Sequence, residues 1–460
     1  MKNAAFREWE FGIMEKYLRL KKAAPIDSYF YDYEGCMRCE RIRNQYHYNP
    51  EFIIVYLEDI EEVEENKRYN LLLDFFTFSD YVRFINTINI EGGQRNERND
   101  ENDRSIPRST FFVINNYKNS DKPIKGAHYY LNLWELQRNE VKPTYEEDEG
   151  FPLLFSIDLT DKVSNERLLY LTTPLIYPQL VFSGLQDNSY RKAFSGKNID
   201  SLRVWNVGQG NYNELIANDK PYIIYDAGTQ VIGKSGGVKK YKQRLHNELG
   251  KEKPMFVLSH WHTDHYSLLF SLGNNELREF ERFVMPSYVK NLSVFLFVAR
   301  LNLIGADVAM IKLPHNSKWK EYPIIDDRTC LYANKYEHNS INDSGLCLFV
   351  KGENGNVMLS GDCKYTIAEG QAKEAIKKMT AEGKDLHLVV PHHGGNAGKT
   401  VTFNVPEAKN KFGYVSVGVN DYGHPKEEVM EKLALFLNGG VKMTKNEEDM
   451  KGKEYIEVGI

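Results

Sequence analysis

The chain is predicted to be an α/β protein in two parts. Residues 1–190 read as an α+β domain and residues 200–460 as stacked sheet and helix layers. Three observations predict this. At 460 residues the chain exceeds what one hydrophobic core usually organises, so two domains are the default. Beyond residue 200, short apolar runs alternate with longer amphipathic ones, the pattern of strands interleaved with helices. Residues able to bind metal gather at the ends of those runs: of 12 histidines only His47 and His128 precede His246, so their chemistry belongs to the second part.

In the first part, residues 7–22 are expected to form an amphipathic helix and 52–57 a strand. Ser79-Asp80 reads as a helix cap before Tyr81, and 111–114 and 129–134 as further strands. Residues 92–108 are dense in Asn, Arg, Asp and Glu with almost no apolar residue, which predicts a solvated loop. Cys36-Met37-Arg38-Cys39 has only His47 nearby as a further ligand, so it reads as two reduced thiols at a turn rather than a zinc site. This domain has the make-up of a module that binds a ligand or a protein partner. The Ser-, Asn- and Gly-rich stretch 184–200 is the expected linker.

In the second part, strands are expected at 202–207, 213–217, 221–226, 254–259, 345–350, 356–361, 385–390, 412–417 and 454–459. Helices are expected at 239–249, 291–304, 365–380 and 426–437.

Composition bounds the function. Hydrophobic residues at 42% and charged residues at 27% are those of a soluble globular protein. A net charge of −5 argues against broad affinity for duplex nucleic acid, which needs a strongly basic face, but leaves room for a small basic groove. No stretch of about 20 apolar residues is present to span a bilayer; the best, 292–311, is interrupted by Arg300, Asn302 and Asp307 and fits an amphipathic helix followed by a strand. Five scattered cysteines and an amino terminus without an apolar signal segment point to a reducing, cytoplasmic setting.

His260-Trp261-His262-Thr263-Asp264-His265 places four metal-type ligands within six positions. Imidazole nitrogens and carboxylate oxygens are donors that zinc accepts. His260 and His262, two apart, point the same way on an extended stretch, and Asp264 and His265 follow where the chain must turn. The run leaves the apolar segment 254–259, so the ligands sit past the carboxyl end of a strand, where open α/β sheets place their sites. Such a run can present two groups to one ion and two to a neighbour, the layout of a two-metal hydrolytic site.

Other segments share this arrangement: Asp226 ends the run 222–226, Asp362 follows Val357-Met358-Leu359-Ser360-Gly361, and Val389-Val390-Pro391-His392-His393-Gly394-Gly395 carries two histidines. Together with the six-residue run they resemble, in order, the motifs of the metallo-β-lactamase fold. That resemblance implies an αββα sandwich with a dinuclear metal site. Val204-Trp205-Asn206-Val207-Gly208-Gln209-Gly210-Asn211, Pro391-His392-His393-Gly394 and Asn420-Asp421-Tyr422-Gly423-His424-Pro425 resemble, more narrowly, the soluble hydrolase domain of ComEC/Rec2-type competence proteins. The resemblance covers residues 200–460 only.

It implies a phosphodiesterase or nuclease acting on nucleic acid or nucleotides through a metal-bound hydroxide. Small esters, lactones, thioesters or amides are the alternative substrates, and a metal-stabilised binding or regulatory protein is the alternative role. The implied metal ligands are His260, His262 and Asp362 for one ion, and Asp264, His265, the bridging Asp362 and one of His392 and His393 for the other. His392 is favoured, although adjacent histidines cannot be separated by sequence. Two Zn²⁺ per chain are expected, with Mn²⁺ or Fe²⁺ able to occupy similar donors. Asp226 is expected to orient a ligand histidine, and His424 to contact substrate or protonate its leaving group. Asn206 and Asn211 stand where the competence-type pattern has Asp, which keeps the shape and removes the charge. His338, and less so His315, are the candidates for the family's remaining histidine; the competence-type branch has instead a segment like Asn342-Asp343-Ser344-Gly345.

Overall fold

A computed structural model describes residues 52–63, 67–75, 80–81, 83–84, 110–118, 122–136, 141–143, 155–158, 169–171, 180–181, 197–232, 237–249, 253–289, 291–322, 328–337, 340–418, 420 and 423–460. The chain divides into two compact units. One comprises Met1–Gly184 with Tyr288–Gly305, the other Leu185–Ser287 with Ala306–Ile460.

The second unit holds two seven-stranded sheets. One runs in the order Val308–Ile311, Arg282–Pro286, Met255–Val257, Lys220–Ala227, Tyr212–Ala217, Ser201–Trp205, Tyr455–Gly459. Its first four strands pair in parallel and the rest antiparallel. The other runs Trp319–Tyr322, Thr329–Asn334, Leu346–Lys351, Gly355–Leu359, Asp385–Val389, Lys411–Val415, Gly440–Met443, and here the last four are parallel. Parallel neighbours need a crossover, usually a helix. Val238–Glu248, Thr263–Phe270, Tyr365–Lys378 and Glu427–Ala434 supply them. The carboxyl ends of the parallel strands are therefore where loops converge, and every expected metal ligand lies just beyond one.

The strand Leu346–Lys351 shows how the sheet is covered on both faces. Cys347 and Phe349 join Cys330, Tyr332, Met358, Leu386 and Leu388 in a core with Tyr365, Ala368, Ala372, Ala375 and Ile376 of the following helix. Leu346, Leu348 and Val350 alternate with them, so they face the other way, and they are fully buried too. The first sheet covers that face, since the Tyr225 hydroxyl donates to the Leu346 carbonyl at 2.8 Å. Each such buried Leu or Phe contributes about 1.5–3 kcal/mol, which fixes the two sheets and the strand ends that carry the site.

The expected strands and helices of this part appear with shifts of a few residues at their ends. The strand expected at 254–259 stops at Val257, and the turn expected at Asp264-His265 is instead the start of the helix Thr263–Phe270. All eight of its residues are buried, so it shows no polar face and no helical period in the sequence. The strands Arg282–Pro286, Trp319–Tyr322, Thr329–Asn334 and Gly440–Met443 were not anticipated.

The first unit contains a seven-stranded sheet ordered Val141–Pro143, Phe155–Asp158, Phe112–Lys118, Arg68–Phe75, Phe52–Val63, His128–Asn132, Leu169–Leu171. Its core gathers Ile53, Val55, Leu71, Leu73, Phe75, Phe112 and Leu131 with Leu292 and Leu296 of the helix Leu292–Leu303. The strand expectations at 52–57, 111–114 and 129–134 correspond to three of these strands, the last giving way to a short helix at Leu133. Residues 7–22 and 92–108, the Cys36/Cys39 pair, Ser79 and His338 lie outside the described residues. Among the described residues, no helix is long and apolar enough to cross a membrane.

Candidate metal centre

Asp226, next to last in the strand Lys220–Ala227, has a positive φ of 59° and is fully buried. It accepts from the Ser259 backbone N–H at 2.6 Å, the Ser259 hydroxyl at 2.8 Å and the Asn211 side-chain amide at 3.1 Å. His265 Nδ1 is 2.8 Å from the same carboxylate. A carboxylate can only accept, so Nδ1 carries a proton and Nε2 is the nitrogen left to meet a metal. Ser259 gives its one hydroxyl hydrogen to Asp226, so its oxygen accepts from His260 Nδ1 at 3.0 Å. That sets the same tautomer on His260. His393 Nδ1 donates to the Ser416 carbonyl at 2.8 Å, again leaving Nε2 as the lone-pair nitrogen. Three histidines are thus turned by neighbours so that one kind of nitrogen faces one region, the arrangement that metal-binding histidines usually have.

Two donor groups result: His260, His262 and Asp362, and beside them Asp264, His265 and His393, with ligand atoms within 4.8 Å of one another inside each group. Asp362 lies between them. Its Oδ2 is 3.9 Å from His260 Nε2, while its Oδ1 is 3.2 Å from His265 Nε2 and 3.9 Å from His393 Nε2. Asp264 Oδ2 is 3.6 Å from His393 Nε2, and His260 Nε2 and His262 Nδ1 approach to 3.1 Å. His265 Nε2, Asp362 Oδ1 and His393 Nε2 are buried without an aligned hydrogen bond among the described residues. Unsatisfied buried polar atoms are costly. Three converging with carboxylates and imidazoles fit divalent cations of the zinc type.

The electrostatics agree. Burial alone would discharge His265, but Asp362, Asp226 and Asp264 outweigh it and raise its pKa well above the ordinary value. Burial works against Asp362 as well, yet His265 and His392 hold it well below the usual carboxylate range. The field that holds a proton on His265 is one that would hold a cation.

Backbone geometry aims the last ligand. His392 and His393 both adopt left-handed φ, 53° and 52°, rare for residues with a Cβ and common at functional sites. The consequence separates the two. His393, buried, enters the second donor group. His392, favoured from sequence, does not. Its side chain stays one-quarter exposed, 3.9 Å from Asp362 Oδ2 and 3.0 Å from the Asn342 amide. His424 lies against it with ring centroids 5.3 Å apart, and burial followed by the charges of His393 and His392 pushes His424 down to about 3. His315 is exposed and packs on Tyr336 instead.

Asn211 is not among the donor groups. Besides bonding Asp226, it accepts from the Asn213 amide at 2.6 Å, which makes it a strut. Asn206 accepts from the Gly208 N–H at 3.3 Å. Ser259 and Ser416 are the functional contributors that the sequence reading missed. Ser259 immediately precedes the ligand run, which was its only signal, and Ser416 acts through its backbone. Gly228 has no room for a side chain: a Cβ there would lie 2.2 Å from the Asp264 carbonyl carbon.

No family model matches the chain, and no curated protein matches it. Among solved structures, a Thermotoga maritima protein described as a "putative zn-dependent hydrolase of the metallo-beta-lactamase superfamily" is similar at 12% identity and a TM-score of 0.24, over 53% of this chain and 98% of that one. A likeness of that size does not establish a shared fold.

Proposed function

We propose that the chain is a metal-dependent hydrolase of the metallo-β-lactamase type, with two divalent ions, zinc foremost, and phosphodiester bonds of nucleic acid or nucleotides as its substrates. One observation carries the metal assignment: a buried carboxylate, Asp362, presents one oxygen to each of two His/Asp groups. Two ions held there would activate water and neutralise charge developing on the attacked centre. The chain's own residues do the rest. Asp226 and Ser259 set the tautomers of His265 and His260, and Ser416 sets that of His393. His392, 3.9 Å from Asp362 Oδ2, and His424 beside it would touch substrate; with a pKa of about 3, His424 would be neutral near pH 7 and make contact rather than protonate. The choice of a phosphodiester rests on the resemblance of the Asn206–Asn211, Pro391–Gly394 and Asn420–Pro425 segments to competence-type hydrolase domains.

Metal analysis of the purified chain, together with product release from single-stranded DNA, RNA and cyclic dinucleotides, tests both halves. About two ions per chain with nucleotide products is the expected result. Two ions with turnover of acyl substrates alone would remove the phosphodiester assignment, and a metal-free active protein would remove the whole reading.

A further inference from the structure

We propose that Asn342 is a positioning residue: it keeps the hydrogen of His392 on Nε2, the reverse of the metal-facing histidines, and so makes His392 a hydrogen-bond donor to a negatively charged oxygen of the substrate. The inference deepens the reading above and rests on it for a substrate lying beside the two donor groups.

A neutral imidazole has one N–H and one lone pair, and the partner at either nitrogen decides which is which. His260, His265 and His393 each meet an acceptor at Nδ1: the Ser259 hydroxyl oxygen, the Asp226 carboxylate and the Ser416 carbonyl. Their hydrogen is therefore on Nδ1. His392 meets the opposite kind of partner. The Asn342 side-chain nitrogen lies 3.0 Å from its Nδ1. An amide nitrogen donates, so Nδ1 accepts and the ring hydrogen sits on Nε2. Asp362 Oδ2 is 3.9 Å from the same Nδ1, beyond hydrogen-bond reach. A ring with its lone pair engaged by Asn342 has none to give an ion, which agrees with the exclusion of His392 from both donor groups.

The turn that carries Asn342 is anchored on both sides. Asp343 is buried and pairs with Lys364 at 2.7 Å, and the Ser340 hydroxyl donates to the same carboxylate oxygen at 2.7 Å. Lys364 follows Asp362 by two positions, so this ion pair joins the turn to the loop of the bridging carboxylate. Ser344 is fully buried, and its hydroxyl oxygen accepts from the Glu337 N–H at 2.8 Å. At Gly345 a Cβ would lie 2.5 Å from the Ser259 carbonyl oxygen, and the Leu346 N–H donates to that oxygen at 2.7 Å. His392 is fixed from its own side, its N–H donating to the Gly361 carbonyl at 3.3 Å and its ring meeting His424 edge-on. Two pinned segments thus face one another through one hydrogen bond. A preorganised N–H aimed where negative charge resides or develops is a strong device for binding and turnover, and phosphate oxygens are acceptors of that kind.

NMR spectra of the full, zinc-loaded chain with isotope-labelled histidine test this, since couplings from ring protons to ring nitrogens show which nitrogen carries hydrogen. His392 is assigned by its absence in His392→Ala. At mildly alkaline pH the expected result is Nε2–H for His392 and Nδ1–H for His260, His265 and His393. Asn342→Asp presents only acceptors to the ring. It is expected to move the hydrogen to Nδ1, keep the metal content and lower kcat on the nucleotide substrate about a hundredfold. In the His392→Ala background the same change is expected to cost little more, because both act through one ring. An equal loss in both backgrounds would trace to the added charge and overturn the inference. So would Nδ1–H on His392 in the wild type, or a His392 hydrogen that stays on Nε2 in Asn342→Asp while only the melting temperature falls. If Asn342→Asp fails to fold, the wild-type spectrum decides alone. That spectrum needs no turnover: a chain that cleaves only acyl substrates removes the phosphodiester reading and leaves the His392 assignment to stand or fall on it.

Discussion

Asp226→Asn is the sharpest probe of how the second donor group is organised. All four neighbours of this carboxylate present hydrogens to it: the Ser259 N–H, the Ser259 hydroxyl, the Asn211 amide and His265 Nδ1. An asparagine of the same shape offers one acceptor oxygen and one NH₂. If the NH₂ takes the Oδ1 position, it faces the Ser259 N–H. If it takes the Oδ2 position, it faces the other three. At least one hydrogen bond to a formerly charged group is lost either way, worth about 1.5–3 kcal/mol. His265 also loses the charge that fixes its tautomer. Removing such an orienting partner typically weakens metal binding 10–100-fold, about 1.4–2.8 kcal/mol. Chelator titration should therefore show weakened metal binding in Asp226→Asn, most of all for the ion nearest His265. Two ions bound with wild-type affinity would refute the account of Asp226 as the residue that turns His265 toward the metal.

Four further outcomes follow from the geometry. His393→Ala should lose the second ion, whereas His392→Ala should keep both and lose turnover; the reverse pattern in metal analysis would restore His392 as the ligand. Burial pushes Glu214 from 4.5 up to about 7. Its folded pKa is raised, so its stabilising share is present below pH ~4.5 and lost as the pH rises through ~7, on the order of 3 kcal/mol. Urea melts at pH 5 and pH 8 should show this loss in the wild type and a flatter profile in Glu214→Gln; parallel profiles would refute it. Burial lowers His387 to about 4, so its share is present above pH ~6.5 and lost as the pH falls through ~4, and His387→Phe should shift the acid-unfolding midpoint downward. Gly228→Ala forces a Cβ into the Asp264 backbone and should destabilise the fold by about 1–3 kcal/mol or more, with loss of metal; a wild-type melting curve and full zinc content would contradict the packing described.

The strand ends that carry the site were legible because their apolar runs are bounded sharply by the ligands themselves: Asp226 closes one run, Asp362 another and His392-His393 a third. The helix Thr263–Phe270 was not, because burial on every side erased the periodicity that would betray it. Adjacent His392 and His393 could not be ranked from sequence, since what separates them is a pair of left-handed backbone conformations. The orienting groups were equally hidden. Ser416 acts through its carbonyl, which every residue possesses. The placement of Leu292–Leu303 escaped notice for a different reason: the helix was foreseen, but Asp74, which receives its Ser293 N–H, lies 219 positions earlier.

That helix also limits how this chain can be taken apart or recombined. A gene fragment ending at Gly184 would encode the first sheet without Leu292 and Leu296, two side chains of its own core. A fragment starting at Leu185 would carry the same helix with its apolar side deprived of Ile53, Leu71 and Phe112, a sticky appendage on an otherwise complete pair of sheets. Recombination at a single breakpoint cannot pass either half intact to another protein.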